Sequence, residues 1–242
     1  MFFSKKKYDF ILDIGEACSC SSTLRSANLQ IRSLPFDWLF GSSFIGRVNM
    51  IVNNFENFMR VEDLECVGNN GVQSHLCDIY KNNYNGLIFN HDFLYGSKVE
   101  EAVTGVLSKY KRRQDRLYKL ANEAKAILAV WIDTPGANWT KKNDADFIEG
   151  LRLLSEKFNH AKVDLLVFAY EEGRAFKDRK YEKLSENIDK YTFDYHKRFH
   201  KGKPLPDYIV DEDMMKKILK NYSLNMTLKE QFDNYMFKKF KK

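Results

Sequence analysis

Proline and glycine are scarce, four and twelve in 242 residues, which disfavours an all-β architecture built on many tight turns. Cysteine lacks pattern. Cys18, Cys20, Cys66 and Cys77 show no framework spacing, Cys18-x-Cys20 is not a Cys-x-x-Cys pair, and no second Cys or His pair completes a zinc site. No run approaches the ~18 apolar residues of a membrane span. The opening MFFSKKKYDF has no apolar core of signal-peptide length. The expected setting is a reducing cytoplasm with free thiols. Asn138, Asn221 and Asn225 begin Asn-x-Ser/Thr triplets, read as chance without a secretion signal. No Pro/Gly/Ser-rich linker, internal repeat or low-complexity segment divides the chain. Neither sign of charge dominates: 39 Lys and Arg against 33 Asp and Glu leave +6, gathered at residues 5–7, 109–119 and 238–242. That balance permits a phosphate-bearing or acidic partner without requiring one.

What is present suits a packed domain: 44% hydrophobic and 14% aromatic residues. Phe10, Ile11, Leu12 and Ile14 form a short apolar run broken at Gly15, read as a buried strand, with a helix over residues 19–29. Pro35 stops regular structure, so Phe36-Asp37-Trp38 is expected to be an ordered, partly buried loop. Asp37 there either caps local backbone N–H groups or orients a catalytic group. Residues 43–59 and 97–124 carry helical apolar stripes, and Asp144 is placed to cap a fourth helix over 144–159. Residues 71–80 and 86–89 read as strands joined by turn chemistry. His91 falls just after the second. It is either a general base at a strand end or a histidine bonded into the core edge. The apolar runs at 126–132 and 163–169 flank a helix, the mark of a parallel sheet covered on both faces. Residues 173–208 read as irregular, with a short strand at 191–195. Helices are expected over 211–222 and from 228 onward. Lys109, Lys111, Arg112, Arg113 and Arg116 lie mostly off the long helix's apolar stripe. They are read as a solvated face, not a nucleic-acid surface. The fold expectation is a single α/β domain over 1–242. It has a mostly parallel central sheet flanked by helices and a helical C-terminal region, with an amphipathic basic helix at 225–242 docked on it.

The strand-to-helix join carries Gly15, Glu16, Cys18 and Cys20. A thiol at a helix start sits near unpaired N–H groups, so the expectation is a lowered pKa and a usable nucleophile at Cys18. The alternative is that both cysteines pack the helix start as small apolar residues.

Four segments combine: Gly15-x-x-Cys18, Leu24-Arg25, Pro35-Phe36-Asp37-Trp38-Leu39 and Phe89-x-His91-Asp92-Phe93. Together they resemble the bacterial family of papain-like cysteine peptidases, and the basic run at 109–113 is similar to that family's basic helix. The resemblance implies Cys18 as nucleophile and His91 as base. The completing acid is not identified by any motif. Asp37, Asp92 and Asp133 are candidates, with Asp37 preferred and Asp133 falling where the family is expected to vary. Arg25, Trp38 and Asp92 are expected on the substrate side. Papain-like enzymes place the cysteine on a helix start beside an antiparallel sheet. Here it follows a first strand, a layout similar to hydrolases and acyltransferases with a nucleophile just after strand one. The function expected is a thiol-dependent hydrolase or acyltransferase on a small-molecule, peptide or glycan substrate, without cofactor or metal. Its competitor is a binding or modifying protein for a nucleotide-sugar or glycan of a bacterial polysaccharide locus. No specific nucleic-acid partner is expected, and membrane contact by the basic tail is the minority reading.

Overall fold

The computed structural model describes residues 5–135 and 143–240. The triplet at Asn138, Gly136, and the lysines Lys241 and Lys242 lie outside the described residues. In chain order the elements are β1 (Lys6–Tyr8), β2 (Phe10–Asp13), α1 (Cys18–Ser26), β3 (Leu39–Gly41), α2 (Phe44–Val52), β4 (Leu64–Asn69), β5 (Cys77–Asn82) and β6 (Leu87–Leu94). There follow α3 (Val99–Glu123), β7 (Ala126–Ile132), α4 (Asp144–Lys157), β8 (Lys162–Tyr170), β9 (Lys180–Ser185) and β10 (Ile188–Phe193). A short ribbon of β11 (Phe199–His200) and β12 (Lys203–Pro204) leads to α5 (Glu212–Leu219), β13 (Tyr222–Leu224) and α6 (Leu228–Phe240).

The central sheet has the order β2-β7-β8-β10-β9. The first four strands are parallel and β9 pairs antiparallel with β10 at the far edge. Strand alternation sorts the core into two layers. Leu12, Ala129, Trp131, Leu165 and Val167 face a cluster shared with α2, α3, α4 and β6. Ile11, Leu128, Val130, Leu166 and Phe168 face a second cluster with Leu24 of α1 and Met215 and Ile218 of α5. Each fully buried Leu, Ile, Val or Phe contributes roughly 1.5–3 kcal/mol, so the β7–β8 pair, apolar on both faces, anchors the sheet. Outside it stands a separate antiparallel sheet, β3-β6-β5-β4, inserted between α1 and α3. β1 and β13 form a two-stranded parallel pair, Lys6 opposite Tyr222 and Tyr8 opposite Leu224. Among the described residues no helix is long and apolar enough to cross a membrane.

Several details differ from expectation. The helix expected over 43–59 ends at Val52, because Asn54, Phe55 and Asn57 adopt positive φ, which halts α-helical winding. Asn143, not Asp144, caps α4 by accepting from Ala145 N; Asp144 pairs with Lys190 at 2.6 Å. The segment read as irregular contains the β9–β10 hairpin. On α6, Leu228, Phe232 and Tyr235 are exposed, and the helix reaches the body through Glu230 to Arg32 (2.9 Å) and Asn234 to Asn28 (3.1 Å).

Candidate active site

Residues 13–18 make the turn from β2 into α1 at the carboxyl ends of the parallel strands, where open α/β sheets place their ligands. Gly15 N donates to Asp13 Oδ1 (2.9 Å), Glu16 N to Ile132 O (3.3 Å), and Glu16 Oε2 accepts from Thr134 N (2.8 Å). Gly15 is required by space rather than φ. A Cβ there would lie 2.2 Å from Cys20 Cβ and 2.6 Å from its sulfur. Cys20 is fully buried, with Sγ 3.7 Å from Val130 O, so it fills the packing role of a small apolar residue. Gly15→Ala is expected to lift α1 from the sheet and cost about 1–3 kcal/mol or more. Thermal unfolding checks this: an unchanged Tm would refute the clash.

Cys18 opens α1 and is partly exposed, and all four cysteines are free thiols. The N–H groups of Cys18 and Ser19 point toward its sulfur and favour the thiolate. They do not win. Burial, then the negative charge of Asp13, pushes the Cys18 thiol up to about 11. The expected lowered pKa is therefore corrected: at neutral pH this thiol carries its proton, because desolvation outweighs two peptide dipoles at the head of a nine-residue helix.

His91 does not follow the end of its strand; β6 continues to Leu94. The β5–β6 register shifts between the pairs Tyr80–Phe89 and Asp78–Phe93, so four residues of β6 span two of β5. That bulge leaves His91 exposed and turns Asp92 inward. The His91 ring meets Trp38 edge-on at 6.2 Å. Protein packed against the imidazole lowers its pKa despite the opposing charge of Asp92, with His75 and Lys109 adding to the lowering. It is thus neutral, and able to accept a proton, near pH 7. Among the described residues no hydrogen bond joins Cys18 to His91.

One buried side chain links the two segments. Arg47 on α2 is completely buried. Its Nη2 donates to Glu16 O (3.3 Å) in the cysteine turn and to Leu39 O (3.0 Å) and Gly41 O (2.8 Å) on β3. One nitrogen therefore pins the backbone two residues before Cys18 to the residue after Trp38. Tyr208 lies in the same region: its ring meets Phe40 edge-on at 5.4 Å, and burial, followed by the charge of an ionised Cys18, raises its pKa.

The other expected site residues divide. Trp38 is 43% exposed and free to meet a substrate. Asp37 is fully buried and accepts from Arg25 Nη2 (2.7 Å) and Gln30 Nε2 (2.8 Å). It fastens the loop to α1 instead of bonding to His91. Arg25 is consumed by the same strap, reaching Ser21 Oγ (3.1 Å) as well. Asp92 has its side chain almost wholly covered and is held by Lys109 and by Tyr110 Oη (2.9 Å), which removes it from a substrate's reach. Asp133 accepts from Trp131 Nε1 (2.6 Å) and Tyr170 N (3.1 Å), so it serves the strand ends. Asp13 and Arg47 were not singled out by the sequence. Asp13 lies inside an apolar run, and Arg47 falls one residue off the apolar stripe of its helix; a charged residue in either place is the available signal. Among the described residues no group of three His, Cys, Asp or Glu side chains could hold a metal ion.

Residues 9–164 match the model of a family described as "putative papain-like cysteine peptidase". Over 133 residues the sequence is 25% identical to an uncharacterized protein, R408, of Acanthamoeba polyphaga mimivirus, a match covering 49% of this chain and 59% of that protein. The chain thus spans about three-fifths of this relative's length. No solved structure matches the chain.

Proposed function

The chain belongs to that family, whose model covers more than half of it, and from this premise we propose that the protein is a thiol-dependent hydrolase with Cys18 as nucleophile. The observation that carries the reading is the position of Cys18. It is a partly accessible thiol at the first turn of α1, with two backbone N–H groups directed at it and a buried twin, Cys20, two residues on. The chemistry fits acyl transfer. Neutral His91 takes the Sγ proton as the sulfur attacks an acyl carbon, and the oxyanion is received by the N–H groups of Cys18 and Ser19. The imidazolium then protonates the leaving group, and water releases the thioester. An acceptor other than water would turn the same thioester into a transferase product. Because no Cys18–His91 hydrogen bond exists in the free protein, substrate must draw the two together, a tightening common in thiol and serine sites. Trp38, beside His91 and exposed, is the expected contact for the acyl chain.

The test is covalent labelling with an electrophilic acyl probe, read by intact mass and peptide mapping. In a Cys66→Ser background, which removes the exposed thiol, the protein is expected to gain one adduct at Cys18, with Cys18→Ala unlabelled and His91→Ala slowed at least tenfold. Simple alkylation by iodoacetamide should accelerate from pH 7 to 10 without a plateau, since the thiol titrates far above neutrality. Labelling that is equal with and without Cys18→Ala in that background would end the assignment.

A further inference from the structure

A groove of about 910 Å³ runs between α2, the β5–β6 turn and the start of α4, a size typical of small-ligand sites. We infer that it binds a neutral, polyhydroxylated ligand of the sugar type. It is separate from the Cys18 turn, none of whose residues lines it.

The floor is the passage from β3 into α2. Gly41 sits at φ +68° and Gly86 at +74°, and Gly86 O accepts from Ser42 N (3.0 Å). Ser42 itself adopts φ 60°, a conformation that costs a non-glycine residue on the order of 1 kcal/mol. It is only 8% exposed, it lines the groove, and among the described residues its hydroxyl makes no hydrogen bond. A strained, buried serine with an unused hydroxyl facing a cavity is a group held ready for something outside the chain.

The walls continue the pattern. The side-chain amides of Asn49 and Asn53, one turn apart on the exposed face of α2 and its end, form no hydrogen bond among the described residues. Each offers a donor pair and an acceptor, the combination that matches vicinal hydroxyls. Tyr84, 61% exposed, is held from one side by the Arg60 guanidinium, 5.4 Å from its ring centroid. It supplies an aromatic surface at the rim, and Met50 and Ile88 supply apolar patches for C–H faces. Charge decides between ligand classes. Lys81 is offset by Glu56 and Asp146 around the same groove, so no positive field selects a phosphate or carboxylate. Amides, a hydroxyl, an aromatic ring and one cation against two carboxylates together favour an uncharged polyol over an anion.

The test uses the full chain and a panel of neutral trisaccharides based on glucose, galactose, mannose and N-acetylglucosamine, titrated by ¹⁵N–¹H spectroscopy. At least one should give saturable shifts confined to residues 41–56 and 81–88. Asn49→Ala/Asn53→Ala should weaken that binding at least tenfold, since two hydrogen-bonding groups are lost. Ser42→Gly relieves the backbone and removes the hydroxyl; it should stay folded while losing affinity. Cys18→Ala should bind like wild type, which separates this site from the hydrolytic one. Absence of shifts with the whole panel, shifts elsewhere, unchanged binding in the double variant, or preference for inorganic phosphate would each overturn the inference.

Discussion

Replacing Arg47 by Met is expected to lower unfolding stability by about 3–5 kcal/mol, the cost of breaking a buried charged network from one side. The guanidinium is fully buried and lies 4.9 Å above the Phe36 ring. It serves carbonyl oxygens of residues 16, 39 and 41. Burying this cation is itself expensive: burial pulls its pKa down to about 10, against the opposing pull of Asp13 and Glu16. An apolar replacement removes that cost. It also strands the carbonyls of three buried residues, and unpaired buried acceptors cost about 1–3 kcal/mol each. The stranded acceptors win because they cannot be deleted with the side chain. Arg47→Lys should recover only part of this, since all three carbonyls converge on Nη2 and a lysine ammonium ends one bond short of that position. With domains of this kind stable by only about 5–15 kcal/mol, the urea midpoint should fall steeply. A shift worth under ~1 kcal/mol would show the three carbonyls are satisfied without Arg47.

Asp13→Asn is expected to do the opposite at alkaline pH. Burial first, then the neighbouring carboxylate of Asp37, raises the Asp13 pKa to about 7, with the Gly15 N–H and Arg47 only partly opposing. In the unfolded chain the group titrates near 4. Below pH 4 both states hold the proton and the group is neutral in the balance. From pH 4 to 7 the unfolded chain releases its proton while the folded protein keeps it, so stability falls as pH rises. Above 7 the full penalty stands, on the order of a few kcal/mol. Asn mimics the protonated acid and does not titrate. The stability difference between variant and wild type should therefore be small at pH 4, grow toward pH 7, and stay level at pH 8, in favour of the variant. The same substitution removes the charge that opposes Cys18 ionisation, so Cys18 should alkylate faster at pH 8. A variant that tracks wild type at every pH would place the Asp13 proton elsewhere.

The parts of the fold that could be read from residues are those whose burial is uniform. The runs at 126–132 and 163–169 became β7 and β8 almost to the residue, because a strand buried on both faces needs no partner information to be recognised. The β9–β10 hairpin was not legible: Lys180, Glu182, Lys183 and Lys190 make it polar, and its place at the sheet edge, held by Lys190–Asp144 and Lys6–Asp189, depends on distant residues. At the site, the position of Cys18 at a helix head followed from Gly15 and the preceding apolar run. The state of its sulfur did not, because Asp13 and the depth of burial come from tertiary packing. Asp37 illustrates the limit further. A lone acid between aromatics announces a need for a partner, but only the folded chain reveals that Arg25 and Gln30 meet it.

The pairing of Lys6, Lys7 and Tyr8 with residues 222–224 runs parallel. Pulled apart at residues 5 and 225, these two segments would slide lengthwise past each other, so all three rungs must rupture together before the central sheet unravels. Tension along the polypeptide is thus met first by a clasp in shear, and the rate at which that clasp yields would set mechanical resistance independently of equilibrium stability.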